Sequence, residues 1–276
     1  MRTNKLIRTV PPYLVLIIFS AIVLLPILGL AFSAFKTDAE IIKGPLSLPS
    51  DWTLDNFLSA WNVGKFDMYF RSSLIVTSSV VLVSVILSVV MGYAFGVMEF
   101  PGRKFIYALV LIGFMVPFEA MVLPLYQYLH ALKLTDTYWA LILPQIGLSI
   151  SFGTLWMTSF YKNSERELQD AAAIDGCNRF QALWFILIPI AIPAILTLVV
   201  LIFMWTWNEF LLALVMVQKE NLRTLPVGLA FFQGRYTSNI PLMAAGSMIV
   251  AGPIIIVYLL FQRYFIRGLT SGAVKG

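Results

Sequence analysis

Charged residues are scarce in this sequence. They make up 12% of its 276 residues, about half the share of roughly 25% that is usual in soluble globular proteins. Hydrophobic residues make up 59%, so a membrane protein is favoured over a soluble one. The net charge of +5 would suit a nucleic-acid partner. However, the basic residues lie at the ends of apolar segments and form no basic stripe, which argues against such a partner.

Residues that carry catalytic or metal chemistry are also few. The single cysteine, Cys177, excludes an internal disulfide. A metal site needs several ligands, and none cluster around His130, the only histidine. The chain has no H-E-x-x-H and no G-x-x-x-x-G-K-[ST], and GLSIS at 147–151 lacks the last glycine of G-x-S-x-G. The sequence therefore predicts no enzyme and no cofactor or metal in this chain, and any ATP would have to be hydrolysed by a partner.

Long apolar runs dominate what remains. A helix that crosses a bilayer needs about 20 apolar residues, and six stretches reach that length. The first is too long for the apolar part of a cleaved signal peptide, so we interpret it as a retained signal-anchor span. The six predicted spans are residues 13–34, 70–97, 105–125, 139–160, 190–215 and 241–262.

Six spans place both termini on one side of the membrane. With both termini in the cytoplasm, 11 of the 19 basic residues lie on the inner side, as the excess of Lys and Arg in cytoplasmic loops requires. The outer loops contain aromatic residues such as Trp52 and Trp61. We interpret these as an interfacial belt, with partner docking as the alternative.

The cytoplasmic loop at 161–188 holds a short predicted helix. Ser164 and Glu167 have the spacing of a capping box, and Gly176 suits the left-handed position that ends a helix. The predicted helix covers residues 165–175. It presents Leu168, Ala171 and Ala172 on one face, and such small residues allow close approach to another protein. The pattern favours docking over a solvated connector.

This loop resembles the EAA motif of binding-protein-dependent ABC importer permeases. Asp170, Ala171, Ala172 and Gly176 are followed by nine residues and then by Ile186 to Pro189. Two positions depart conservatively from the family pattern, with Asp for Glu at 170 and Ile for Leu at 188. WNEFLLALV at 207–215 and EFPGRK at 99–104 resemble segments of carbohydrate-importer permeases. The tail FQRYFIRGLTSGAVKG resembles that of the second permease of maltose-type systems.

The resemblance implies an all-α integral membrane protein with the type I importer permease fold and six transmembrane helices. It implies a partner permease, two ATPase subunits that bind ATP and Mg, an external sugar-binding protein, and a bacterial or archaeal cytoplasmic membrane. Residues 1–69 would form the first span and first outer loop, 70–265 the core with the EAA loop at 161–189, and 266–276 a cytoplasmic tail. The implied ATPase-coupling residues are Leu168, Asp170, Ala171, Ala172, Gly176 and Pro189.

Four polar or aromatic residues within the predicted spans are candidates for the substrate pathway: Glu119, Trp205, Asn208 and Glu209. Carboxylates in a membrane are costly and usually face a bundle interior or water, and indole rings can stack on the apolar faces of sugars. The alternative is a structural hydrogen bond near the interface.

Two other transporters remain as alternatives to a sugar importer. The same fold could carry a non-sugar solute. An ion-coupled secondary transporter would show an internal repeat, which this sequence lacks, and would leave the 161–188 loop without a purpose.

Overall fold

The structure is a computed structural model. It describes the backbone of residues 3–163, 176–236 and 239–271, and side chains over 13–162, 176–235 and 239–264. All regular elements in these ranges are helical. The helices are α1 (Thr3–Ala34), α2 (Asp55–Val63), α3 (Phe66–Gly96), α4 (Arg103–Met115), α5 (Phe118–Ala131), α6 (Trp139–Asn163), α7 (Arg179–Trp207), α8 (Leu211–Met216), α9 (Leu225–Tyr236) and α10 (Ile240–Ser271), with 3₁₀ turns at Asp38–Lys43 and Glu220–Leu222.

Five of the described helices are long and apolar enough to cross a membrane: α1 (from Tyr13), α3, α6, α7 and α10 (to Tyr264). The predicted third span is not one straight helix. It consists of α4 and α5, which are bent by 98° at a short break. The break falls at Val116 and Pro117, both in extended backbone, because a proline disfavours a helical conformation in the residue before it. The described residues therefore contain five spans, or six if the bent pair crosses as one.

The predicted fifth span was misplaced. The structure has a helix over Arg179–Trp207 and a separate short helix, α8, instead of one span over 190–215. The prolines at 26, 144, 193 and 253 all lie inside continuous helices. Pro189 lies inside α7 and does not mark its start. It follows a π-helical segment, Ala182–Leu187, whose wider turn suits a residue that cannot donate a backbone hydrogen bond.

Contacts divide the chain into two units. The first comprises residues 1–67 and 228–252, and the second comprises 68–227 and 253–276. In the first unit, the fully buried Lys36 organises the loop after α1 by donating from Nζ to the Gly44 carbonyl (2.8 Å) and the Ser47 hydroxyl (2.9 Å). Glu40 accepts from the Ser50 backbone N–H at 2.7 Å, and its hydrogen bonds with Ser50 lower the pKa of its carboxyl.

In the second unit, α6 is the central helix and packs against both α4 and α7, while α8 packs against α5 and α6. The contact between α3 and α6 uses small residues that recur every four positions on α3, namely Ser84, Ser88, Gly92 and Gly96. A methyl group added to Gly92 would lie 2.3 Å from Cβ of Met157, and one added to Gly96 would lie 2.9 Å from Cβ of Tyr161. The two helices therefore approach closely along this stripe, as small residues allow within a membrane.

Candidate functional site

A cavity of about 750 Å³ lies within the second unit. Its walls come from the junction of α4 and α5, from one face of α6, and from the end of α7 together with Asn208 and Glu209. The four residues predicted for the substrate pathway all line it: Glu119, Trp205, Asn208 and Glu209. The geometry thus brings together positions that are up to 90 residues apart in sequence, while their role as a substrate pathway stays a prediction.

Two breaks in the helices place these residues. Because the chain bends at Pro117, Glu119 lies in the first turn of α5, and its side chain is exposed to the cavity. At the other wall, α7 ends at Trp207, and the next two residues turn the chain towards α8. Helix ends leave polar backbone groups unpaired, so both breaks bring polar groups to the cavity.

Glu209 has a structural role that the sequence alone left open. Its carboxylate accepts the backbone N–H groups of Leu212 (2.8 Å) and Ala213 (3.1 Å). It therefore caps the start of α8, where a negative charge is favoured by the helix dipole. The hydrogen-bond alternative for this residue is present in the structure, and the residue also lines the cavity.

The tryptophans near Glu209 differ in position. Trp205 is 50% exposed and contacts Phe152 edge to face, with ring centroids 4.8 Å apart. Trp207 is 1% exposed and packs against Phe70 and Phe203. Of these two tryptophans, only Trp205 lines the cavity.

Sequence reasoning missed the wall that α6 supplies. Gln145, Ser149 and Phe152 line the cavity, and they are spaced by four and three residues, so they share one helix face. Gln145 and Ser149 are 6% and 8% exposed. Two polar residues at helical spacing within an apolar span were the signal that could have found them.

The predicted coupling helix lies outside the described residues, and so do Leu168, Asp170, Ala171 and Ala172. The structure describes both ends of its loop. Gly176 has φ +77°, which confirms the predicted left-handed position. Asn178 and Gln181 form a reciprocal capping box with two 2.9 Å hydrogen bonds at the start of α7. Pro189 lies farther along α7, eight residues after Gln181.

Tyr93 of α3 contacts both ends of this loop. Its ring meets that of Tyr161, near the end of α6, with centroids 6.2 Å apart and planes at 82°. Its hydroxyl donates to the carbonyl of Arg179, at the start of α7, over 3.1 Å. The two helices that flank the loop are therefore attached to the same residue of a third helix.

The loop after α8 is attached at its start. The Asp136 carboxylate accepts the backbone N–H groups of Gln218 (2.6 Å) and Lys219 (3.0 Å). The N–H groups of Lys219 and Gln218 lower the pKa of this carboxyl, because they stabilise its charged form. Asp136 has φ +56°, a conformation that Asp tolerates better than most residues.

His130 and Cys177 take no part in a cluster of ligands. The His130 ring stacks on Tyr126, and its Nδ1 lies 3.3 Å from the Thr135 hydroxyl. Within the part of the chain that the structure describes, no group of three His, Cys, Asp or Glu residues could hold a metal ion.

Comparison with protein families identifies the transmembrane core. Residues 84–271 match the family described as the binding-protein-dependent transport system inner membrane component. The chain belongs to this family. The match covers α6 and α7 in full, both loop ends and every residue of the cavity wall.

Relatives of this permease family align along almost the whole chain. YurM of Bacillus subtilis, a probable ABC transporter permease, is 40% identical over 91% of this chain and 83% of its own. The arabinooligosaccharides permease AraQ of Halalkalibacterium halodurans is 37% identical over 92% of each chain. The trehalose permease SugB of Mycobacterium tuberculosis is 34% identical over 92% of this chain and 93% of its own.

Solved structures share the permease fold. A chain of a bacterial ABC transporter that imports the acidic polysaccharide alginate superposes with a TM-score of 0.78, covering 96% of this chain and 98% of that one at 23% identity. A chain of an alginate ABC transporter in complex with an alginate pentasaccharide-bound periplasmic protein superposes with a TM-score of 0.68 at 15% identity. The described part of this chain is thus an all-helical, multi-pass membrane protein with the fold of ABC transporter permeases.

Proposed function

We propose that this chain is the permease subunit of an ATP-driven sugar importer, and that the substrate is an oligosaccharide. The observation that carries the proposal is the cavity, in which an exposed indole ring and a few polar groups converge within a transport-system membrane component. Sites for small molecules combine largely apolar and aromatic walls with a few placed polar groups. The relatives named for arabinooligosaccharides and trehalose support a sugar.

In this proposal the chain crosses the cytoplasmic membrane of a bacterium or archaeon six times, with both termini inside. The bent pair α4 and α5 serves as the third span. A re-entrant pair would leave five spans and place the termini on opposite sides. The Lys and Arg excess on the inner segments supports the six-span arrangement.

Coupling to ATP hydrolysis would pass through the loop between α6 and α7. The predicted helix at 165–175 would dock in a cleft of an ATPase subunit, which binds ATP and Mg, while this chain performs no catalysis. Both flanking helices contact Tyr93, so a push on the loop would be transmitted to α3, α6 and α7 together. Closure of the two ATPase subunits would then shift the spans between inward-open and outward-open states.

The substrate would pass along a pathway formed with a second, homologous permease, and the cavity would be this chain's share of that pathway. Glu119, Trp205, Asn208 and Glu209 would line it. A sugar-binding protein would deliver the substrate from outside. The structural relative solved in complex with a sugar-loaded periplasmic protein supports such a partner.

Crosslinking tests the docking of the loop. Cys177 is the only cysteine, so Cys177→Ser provides a background in which Ala172→Cys carries the single thiol. We expect a disulfide between residue 172 and a cysteine placed in the ATPase cleft, and none from Lys219→Cys in the outer loop. If no position from 168 to 176 forms a crosslink, the docking proposal is wrong.

Uptake by the reconstituted complex tests the transport function. Proteoliposomes that contain both permeases and the ATPase pair should accumulate labelled oligosaccharide only with ATP inside and binding protein outside. Accumulation that follows an ion gradient without ATP would indicate a secondary transporter. Accumulation of other solutes, with no sugar transported, would show that the same fold serves a non-sugar substrate.

A further inference from the structure

The charges that line the cavity are all of one sign. Its lining residues include two acids, Glu119 and Glu209, and the part of the chain that the structure describes contributes no Lys, Arg or His to this wall. Both carboxylate oxygens of Glu209 accept hydrogen bonds from backbone N–H groups at the start of α8. Glu119 has no hydrogen bond or ion pair with any residue in the described ranges, and its carboxylate is exposed. The cavity therefore offers one uncompensated negative charge.

The neutral amides of the wall carry no charge that could offset Glu119. Gln145 donates from Nε2 to the Leu141 carbonyl (3.0 Å), and Asn208 donates from Nδ2 to the Met204 carbonyl (2.8 Å). A carbonyl oxygen can only accept, so these bonds determine the orientation of each amide. In both residues the amide oxygen and the second N–H are left for another partner.

Ser149 and Thr206 add hydroxyl groups to this wall, and a hydroxyl can both donate and accept. The wall can therefore pair with the hydroxyl groups of a sugar in either direction, and its charge is what distinguishes between ligands. A neutral sugar brings no charge and the ammonium group of an amino sugar brings a positive one. A carboxylate or phosphate brings a second negative charge.

We propose that this cavity selects neutral and amino sugars against uronic acids and sugar phosphates, and that Glu119 is the residue that determines this selectivity. The inference rests on the proposed function, because it assumes that a sugar enters this cavity. Specificity of this kind comes from the cost that like charges impose on the wrong ligand. Trp205 would stack on the ring of any sugar, so it adds affinity without distinguishing charge.

The test measures sugar binding without the binding protein, whose own selectivity would otherwise enter the result. Equilibrium dialysis at millimolar sugar is done on the purified complex of both permeases with the ATPase pair. The probes are three β-1,4-linked disaccharides with the same ring size: cellobiose, its 2-amino counterpart and its diuronate. The α-1,4 and α-1,6 series repeat the comparison.

The wild-type complex should bind the neutral and amino sugars at least about tenfold more tightly than the diuronate, since like charges a few ångströms apart repel strongly at a partly buried site. Glu119→Gln keeps the shape and removes the charge, so it should reduce that ratio to about one. Glu119→Lys should reverse it. Glu99→Gln, in the loop between α3 and α4 and outside the cavity wall, should leave the ratio as in the wild type.

Equal binding of the diuronate by the wild type, or a ratio that Glu119→Gln leaves unchanged, would overturn the inference. Absence of binding in all three series would overturn it too. The proposed function is judged separately by ATP-dependent uptake in proteoliposomes. Uptake of sugar without charge selectivity at this wall would refute the role of Glu119 and leave the importer proposal standing.

Discussion

Substitution of Gly92 by alanine tests the close contact between α3 and α6. The new Cβ would lie 2.3 Å from Cβ of Met157 and 3.0 Å from the carbonyl carbon of the same residue. Neither atom belongs to a flexible side-chain end, so a rotamer change cannot relieve the overlap. Ordinary contact starts near 3.4 Å, so the two helices must separate by about 1.1 Å along this stretch.

The net effect follows from two opposing contributions. Overpacking of this kind costs about 1–3 kcal/mol, and helix association in a membrane depends on the van der Waals contact that separation weakens. Alanine regains about 1 kcal/mol from its higher helix propensity. We expect Gly92→Ala to destabilise the chain by about 1–2 kcal/mol.

Gly147 of α6 provides the matched control. It is also a helical glycine, but a methyl group there would meet nothing within 4 Å. Gly147→Ala should therefore be neutral or stabilising by up to about 1 kcal/mol. The two variants should differ by about 1–3 kcal/mol when the purified complex is unfolded with SDS in mixed micelles. Equal stability of the two variants would refute the packing argument.

A size-conserving exchange sharpens the test. A Cβ on Gly153 of α6 would lie 2.1 Å from Oγ and 2.7 Å from Cβ of Ser88. Gly153→Ala alone should destabilise the chain, and Ser88→Gly in the same molecule should restore part of the loss. The coupling between two contacting sites should reach about 0.5–3 kcal/mol in a double-mutant cycle, and strict additivity would contradict the contact.

Three further predictions concern the termini of the loops and helices. Asp136→Asn should weaken the attachment of the loop after α8. The measurement is faster hydrogen exchange of the Gln218 and Lys219 backbone amides. The folded-state pKa of Asp136 lies below its ordinary value of about 3.9. The stability that its carboxylate contributes is therefore complete above about pH 3.9 and is lost as the pH falls through the folded-state pKa. Wild type and variant should then have similar stability in acid. In Gly176→Ala the new methyl group would meet no atom within 4 Å, so the variant should lose about 1–2 kcal/mol of stability through backbone strain alone. Gly176→Asn should lose less. Equal transport by the wild type and both variants would show that the left-handed turn is dispensable. Glu209→Gln leaves one acceptor oxygen for two N–H groups, so α8 should fray and uptake should fall several-fold; unchanged uptake and unchanged sugar affinity would remove the residue from the pathway.

The candidate site shows where the sequence sufficed and where it did not. Glu119 and Glu209 were found because a carboxylate in an apolar run is rare and costly, and Gly176 because its residue type suits one backbone conformation. Gln145 and Ser149 were missed because their helical spacing indicates a shared polar face but does not show that this face meets a cavity. The role of Glu209 as a helix cap required the position of α8, which the sequence placed inside a longer span.

The sequence by itself determined the membrane class, the approximate positions of most spans, and the loop that resembles the family motif. Hydropathy, charge placement and capping residues act over a few turns of chain, so they can be read without the fold. Only the tertiary structure decided that the chain bends by 98° after α4, that helices continue through several of the prolines, and that Glu119, Ser149 and Asn208 share one cavity. These features depend on which helix faces meet, and packing between distant segments settles that.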